Sequence, residues 1–291
     1  MSSVGQQGVS ADWGVALRLG RVSNLPTVWT NVLAGGILAG ADPAHPLVLV
    51  PLLAASLLYV GGMYLNDAFD AEIDARERPV RPIPAGQASR AAVFQAGFAL
   101  LGAGVLLLLM TNWRAGLAGL VLAGLIVFYD WHHKANLLSP VLMGLCRFMV
   151  YLVAGVVLAG GLTTSSWLGA ALLLAYLIGL TYAAKQEHLN RLDSAWPLAF
   201  LAAPLLYGLA SAGRGWLVPI LLLGFLAWVV RALGFLLRAP RAVPKAVVAL
   251  IAGISLLDGL LCATAGAPAA ALLCVLGFVV TLAFQRFVPG T

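Results

Sequence analysis

The chain has 291 residues, of which 62% are hydrophobic and only 10% charged, and its formal net charge is +6. Soluble domains average about 45–50% apolar and about 25% charged residues. Here the apolar excess runs along the whole chain, which excludes a soluble body on a single anchor, and the basic residues are scattered over short joints, which argues against a nucleic-acid partner.

Residues 1–17 read as a tail with no charged n-region and no cleavage site. Residues 18–291 read as one transmembrane domain. A bilayer core of ~30 Å takes about 20 apolar residues per helix. Polar or Pro/Gly-rich joints leave apolar runs at 22–40, 46–66, 91–110, 115–130, 138–160, 167–185, 196–211, 215–237, 244–263 and 269–285. The last two are separated by only five residues, so the expectation is an all-α polytopic bundle of nine to ten spans. Cys146, Cys262 and Cys274 fall in apolar runs without metal-ligand spacing.

Charge placement orients the spans. Arg18, Arg21, Arg76, Arg78, Arg81, Arg90, Lys134, Lys185, Arg191, Arg238, Arg241, Lys245 and Arg286 fall on one side. Arg114 and Arg214 fall on the other, and Arg147 and Arg231 lie within spans. The positive-inside rule places the first side in the cytoplasm. Eight of the eleven acids share it: Asp67, Asp70, Glu72, Asp74, Glu77, Asp130, Glu187 and Asp193. A face rich in both signs suits an anionic substrate and a metal ion.

The second span runs into Asn66-Asp67-Ala68-Phe69-Asp70-Ala71-Glu72-Ile73-Asp74. At about 100° per residue, Asp70 lies about 300° from Asp67 and Asp74 about 700°, or −20°. The three carboxylates therefore share one helix face, with Asn66 at its edge. Several oxygen ligands on one face suit Mg²⁺, which takes one or two carboxylates and fills its other positions with water and phosphate. The plainer alternative is a solvated helix end with aspartates paired to arginines. Arg76, Arg78 and Arg81 follow at once as phosphate partners. Pro79, Pro82 and Pro84 stop the helix, while Gly61 and Gly62 permit close approach to a neighbouring helix.

Asn66-Asp67-x-x-Asp70-x-x-x-Asp74 followed by Arg78-x-x-Arg81-Pro82-Ile83-Pro84-Ala85-Gly86 resembles the first aspartate-rich motif of the UbiA superfamily of intramembrane prenyltransferases. Arg21-Val22-Ser23-Asn24 resembles the family's opening, and Tyr129 to Lys134 its tyrosine-to-lysine loop. The resemblance covers roughly residues 18–195. It implies a helical bundle around a central cavity, in which Mg²⁺ binds a prenyl diphosphate between two acid-rich helices. It implies metal ligation by Asn66, Asp67, Asp70 and Asp74 from the first motif and by Glu187, Asn190 and Asp193 from the second, with Asp67, Asp70, Asp74 and Glu187 essential to catalysis. Diphosphate contacts would come from Asn24, Arg78, Arg81, Lys134, Lys185 and Arg147. It further implies a multi-pass protein of the bacterial inner membrane with its active site on the cytoplasmic side.

The second acidic motif departs from the family's Asp-x-x-x-Asp. The sixth span ends Lys185-Gln186-Glu187-His188-Leu189-Asn190-Arg191-Leu192-Asp193. Glu187 and Asn190 are i,i+3 neighbours that can share a ligand, whereas Asp193 is about 120° off that face of a continuous helix. His132 and His133 read as interfacial, and Tyr64, Tyr129 or Tyr182 as faces for an allylic cation. Arg231 and Asp258 read as a candidate structural pair within the spans.

The expected reaction is transfer of a prenyl group from an allylic diphosphate to a small aromatic or cyclitol/alcohol acceptor. The altered second motif is similar to that of UbiA-like proteins of Ebo-type gene clusters. The competing readings are a terpene cyclase of the same superfamily and a non-catalytic membrane transporter or lipid-binding protein. A CDP-alcohol phosphotransferase lacks its signature here. The expected outcome of Asp67→Ala or Asp70→Ala is loss of Mg²⁺-dependent diphosphate release. Full activity in either variant, measured as released diphosphate, is incompatible with the motif's assigned role.

Overall fold

The computed structural model describes residues 13–133, 136–185, 196–237, 242–288 and 290. These form helices α1 (Trp13–Leu19), α2 (Leu25–Leu38), α3 (Leu49–Glu77), α4 (Arg90–Leu109), α5 (Trp113–His132), α6 (Ser139–Ala159), α7 (Thr164–Lys185), α8 (Ala202–Ala210), α9 (Leu217–Leu237), α10 (Val243–Thr264) and α11 (Pro268–Phe284), with no strand among the described residues. Local chemistry sets many of the ends. Ser89 and Asn112 accept hydrogen bonds from the backbone N–H of Ala92 and Ala115, capping α4 and α5. Pro26, Pro140, Pro244 and Pro268 sit in the first turns of α2, α6, α10 and α11, where no intrahelical N–H is needed.

Among the described residues, seven helices are long and apolar enough to cross a bilayer: α3, α4, α5, α6, α7, α9 and α10. The other apolar runs form shorter helices, with α2 of 14 residues, α8 of 9 and α11 of 17. Helices α2 to α11 fall one on each of the ten expected apolar runs, and seven of them meet the length needed to cross on their own. The all-helical, multi-pass architecture itself is as expected.

α10 is the central post. Its span is 89% buried, against 28% for α4, α5 and α9, and α2, α7, α9 and α11 pack around it. The outer helices turn Leu106, Leu120, Leu223 and Leu276 outward. In lipid such side chains gain nothing by association, so helix contact depends on close fit and small residues. Gly61 and Gly62 supply it on α3: a Cβ on Gly61 would meet the Gly97 carbonyl of α4 at 2.9 Å, and one on Gly62 would meet Ile126 of α5 at 2.8 Å.

α3 has 29 residues and spans about 43 Å at ~1.5 Å per residue, well beyond the ~30 Å hydrocarbon core. Its last turns are therefore free to carry charge, and this is where Asp67, Asp70 and Asp74 lie. The chain after α3 folds back as a series of turns, in which Arg81 N–H donates to the Arg78 carbonyl and Gly86 adopts φ +71°. That left-handed conformation costs glycine little.

The pair α2–α6 offers a direct test of fit. A Cβ on Gly35 would lie 2.7 Å from both Cα and O of Tyr151, whereas one on Gly102 of α4 would meet nothing within 4 Å. Gly35→Ala is expected to destabilise the detergent-solubilised protein by about 1–3 kcal/mol through overpacking. Gly102→Ala is expected to be neutral or slightly stabilising, because alanine is the better helix former. Equal melting temperatures for the two variants would contradict the close α2–α6 contact.

Candidate active site

A cavity of about 370 Å³ lies inside the bundle, with a charged rim and an apolar interior. Arg21, Asn66, Asp70, Arg78, Arg81, Asp130, His133 and Lys185 line the rim, and Leu58, Leu122, Ile126, Val150, Ile251 and Ile254 line the interior. The expected carboxylate face of α3 points inward: Asp67, Asp70 and Asp74 are all buried.

Two arginines hold that face. Arg81 donates to Asp67 at 2.9 Å and to Asp74 at 3.0 Å, so one guanidinium spans both ends of the motif. Arg21 donates to Asp67 at 3.0 Å and to the Asn66 side-chain oxygen at 3.2 Å. Asn66 in turn donates to Asp130 at 3.1 Å, so its amide orientation is set on both sides. His133 Nε2 lies 3.4 Å from Asp70 Oδ2, and its ring stacks on Tyr129. Burial and the nearby Arg21 hold the Arg81 pKa below the usual arginine value, although Asp67 and Asp74 pull it upward. For Arg21 burial is also the largest influence and lowers the pKa, but Asp67 leads a set of neighbours that together raise it.

Arg21 has φ +42° and ψ +46°, the sole positive φ outside glycine among the described residues. For an L-residue the left-handed region costs about 1–2 kcal/mol. The bonds to Asn66 and Asp67 stabilise it there.

The other expected ligands divide. Asn24 lines the cavity, with its amide donating to the Gly290 carbonyl at 2.8 Å and accepting from Gln285 at 3.1 Å. Lys185 lines the rim and donates to the Asn136 carbonyl at 2.7 Å. Arg147 lines the cavity away from the carboxylates, over the Tyr59 ring at 5.4 Å. Lys134, Glu187, Asn190 and Asp193 lie outside the described residues, so the second acidic motif is not placed. Among the described residues, no three His, Cys, Asp or Glu side chains form a metal cage.

Some expectations need correction. Asp258 does not pair with Arg231. It accepts from Asn31 and Tyr151 in the centre of the bundle, while Arg231 lies over the rings of Trp228 and Phe235. His133 is a rim residue rather than an interfacial one. Of the expected tyrosines, Tyr129 lines the cavity, whereas Tyr64 donates to the Ala16 carbonyl of α1.

Arg21, Tyr59 and Asp130 were not singled out as site residues from sequence. Tyr59 had a readable signal: it precedes Asn66 by seven residues, about 700° or −20°, on the same helix face. Arg21 and Asp130 stand inside the two flanking motifs, beside the residues chosen from them.

Loss of Arg81 leaves two buried carboxylates without their shared partner. Arg81→Gln is expected to lower stability, and combining it with Asp67→Asn should show a coupling energy of about 0.5–3 kcal/mol. Additive melting shifts in this double-mutant cycle would rule out the Arg81–Asp67 contact.

Residues 27–252 match the sequence profile of the UbiA prenyltransferase family. A digeranylgeranylglyceryl phosphate synthase of Methanopyrus kandleri is 35% identical over 138 residues, covering 45% of this chain and 49% of that protein. The chain spans about half the length of the curated relatives it matches. Among solved structures, one concerning digeranylgeranylglyceryl phosphate synthase in membranes aligns with a TM-score of 0.57 at 20% identity, covering 91% of this chain and 98% of the other. A UbiA homologue from Archaeoglobus fulgidus, bound to GPP and Mg²⁺, aligns with a TM-score of 0.54 at 14% identity, covering 94% and 99%. With the profile matched over most of its length, and with the aspartate-rich end of α3 facing a bundle cavity, the chain belongs to the UbiA prenyltransferase family.

Proposed function

We propose that this protein transfers a prenyl group from an allylic prenyl diphosphate to a small acceptor within the membrane. The observation that carries the reading is the pairing of a charged rim with an apolar cavity. Arg78, Arg81 and Lys185 stand beside Asp70 and Asn66, directly above side chains such as Leu58, Leu122 and Ile254. An allylic diphosphate has the same two halves.

The donor set at the rim fits Mg²⁺ shared with substrate phosphate. Asn66 and Asp70 of α3 and Asp130 of α5 offer hard oxygens to the cavity. Asp130 Oδ2 is buried and finds no hydrogen-bond partner among the described residues. Mg²⁺ requires only one or two carboxylates when water and phosphate complete its shell. Bound there, it would act as a Lewis acid that neutralises charge on the departing diphosphate. Lys134, Glu187, Asn190 and Asp193 are further candidates of the same site by sequence position.

The remaining work falls to the chain's own side chains. Arg78, Arg81 and Lys185 bind phosphate oxygens, and Arg guanidinium forks suit such oxygens in pairs. Asp67 and Asp74 hold Arg81 in place before substrate arrives, so positive charge is preorganised where negative charge develops. The C–O bond breaks with its electron pair leaving on the diphosphate. Tyr59 and Tyr129 present ring faces to the allylic cation, an attraction that is stronger when desolvated. The apolar cavity excludes water, the acceptor forms the new bond to the allylic carbon, and it loses the proton its nucleophilic atom carried. The charge distribution of the chain supports a cytoplasmic rim in a bacterial inner membrane, and residues 18–291 act as one catalytic domain.

The test is to incubate the purified protein with Mg²⁺, prenyl diphosphates of several lengths and a membrane extract, then identify the labelled product by mass spectrometry. The expected result is a prenylated acceptor, with one diphosphate released per transfer. A cyclic hydrocarbon or alcohol from prenyl diphosphate alone would replace this reading with a cyclase. Substrate flux without diphosphate release would replace it with a transporter.

A further inference from the structure

Arg231 of α9 takes no part in the site described above. It lies within a span, six residues before the helix end at Leu237, or about 9 Å at ~1.5 Å per residue. Its guanidinium carbon stands 5.7 Å from the Trp228 ring and 5.3 Å from the Phe235 ring. Such stacking uses the face of a guanidinium and leaves its in-plane N–H groups free to donate. Among the described residues, Arg231 has neither a hydrogen-bond acceptor nor an ion pair.

Lys245, near the start of α10, is likewise exposed and without an ion pair among the described residues. Between positions 217 and 290 the sequence holds a single acid, Asp258. That carboxylate sits in the centre of the bundle and accepts from Asn31 and Tyr151. The joint between α9 and α10 adds Arg238 and Arg241 by sequence. A cation in a span is costly and usually finds a counter-charge. Here the described residues offer Arg231 two rings and no anion.

Both cations line one open groove of about 350 Å³, formed by α9, α10 and α11. Phe235, Val248 and Leu282 give it an apolar lining, and exposure of Arg231 and Lys245 opens it to the outside of the bundle. Its wall is fixed by the protein alone. Trp228 Nε1 donates to the Ala249 carbonyl of α10 at 2.7 Å, and its ring meets Phe278 of α11 edge-on at 4.8 Å. Long cationic side chains near helix ends often reach for water along apolar surface. That explains their charge, but not the hold of two rings on Arg231 or the apolar groove beside it.

We propose that this groove binds an anionic phospholipid. The phosphate lies on Arg231 and Lys245, and an acyl chain runs along Phe235, Val248 and Leu282. A soluble phosphate has no use for the apolar lining, and a zwitterionic lipid brings its own cation toward two others. An anionic lipid satisfies both halves of the groove. The side of the chain rich in Lys and Arg also suits the leaflet whose surface is negative. No residue lines both this groove and the catalytic cavity, so the proposal stands apart from the prenyl-transfer reading.

The test is native mass spectrometry of the full-length protein released from detergent micelles that contain equal amounts of phosphatidylglycerol and phosphatidylcholine. Wild type is expected to retain phosphatidylglycerol in preference. Arg231→Gln and Lys245→Gln should each lower the ratio of the two bound lipids by about fivefold, the scale of one cation at a membrane surface. Arg231→Lys should restore part of the preference, since it keeps the charge without the planar fork. Arg18→Gln removes an exposed cation of α1 outside the groove and should leave the ratio unchanged. Added glycerol phosphate should not displace the bound lipid. Equal retention of the two lipids by wild type overturns the proposal. An equal loss in Arg18→Gln also overturns it, by making the preference a property of the whole basic face. Displacement by glycerol phosphate would replace the lipid with a soluble phosphate. If Arg231→Gln does not fold, Lys245→Gln set against Arg18→Gln decides the point.

Discussion

The site depends on one buried clasp, in which Arg81 reaches back across the end of α3 to hold Asp67 and Asp74 together. Two carboxylates about two turns apart on a single buried face repel each other and lose hydration. Removing the partner of a buried charge typically costs about 3–5 kcal/mol, so the loop bearing Arg81 is fastened to α3 by electrostatics as well as by its turns. Arg21 joins the same cluster from the segment before α2, and Asp130 joins it through Asn66 from α5. One charged knot thus brings three parts of the chain to the cavity rim. It can exist because α3 is longer than the bilayer is thick, which lets its last turns leave the hydrocarbon.

The same knot balances the charges of the rim. Before substrate arrives, the carboxylates hold the arginines and the arginines neutralise the carboxylates. Arg78 and Arg81 both line the cavity, so positive charge is already oriented at the rim. A rim built only of acids or only of bases would repel its own members and would lack this balance.

Relatives at 14–20% identity share this fold over more than nine-tenths of the chain. A helical bundle tolerates such divergence because lipid-facing positions require little beyond apolarity, and helix contacts need only small residues at the crossings. Chemistry is then set by a few side chains facing the cavity. Fold membership therefore says little about the acceptor.

Sequence alone was enough to establish the membrane class, the helical phase of Asp67, Asp70 and Asp74, and the family motif around them. Each of these follows from local rules: apolar composition, 100° per residue, and fixed spacing along one helix. Only the tertiary structure decided which charges meet. Asp258 finds Asn31 and Tyr151 rather than Arg231, because α2 and α6 pack on α10 and Arg231 faces away toward Trp228 and Phe235. Arg21, Tyr59, Asp130 and His133 join the cavity because α3 packs against both α5 and α2, a matter of helix crossing that no local spacing encodes.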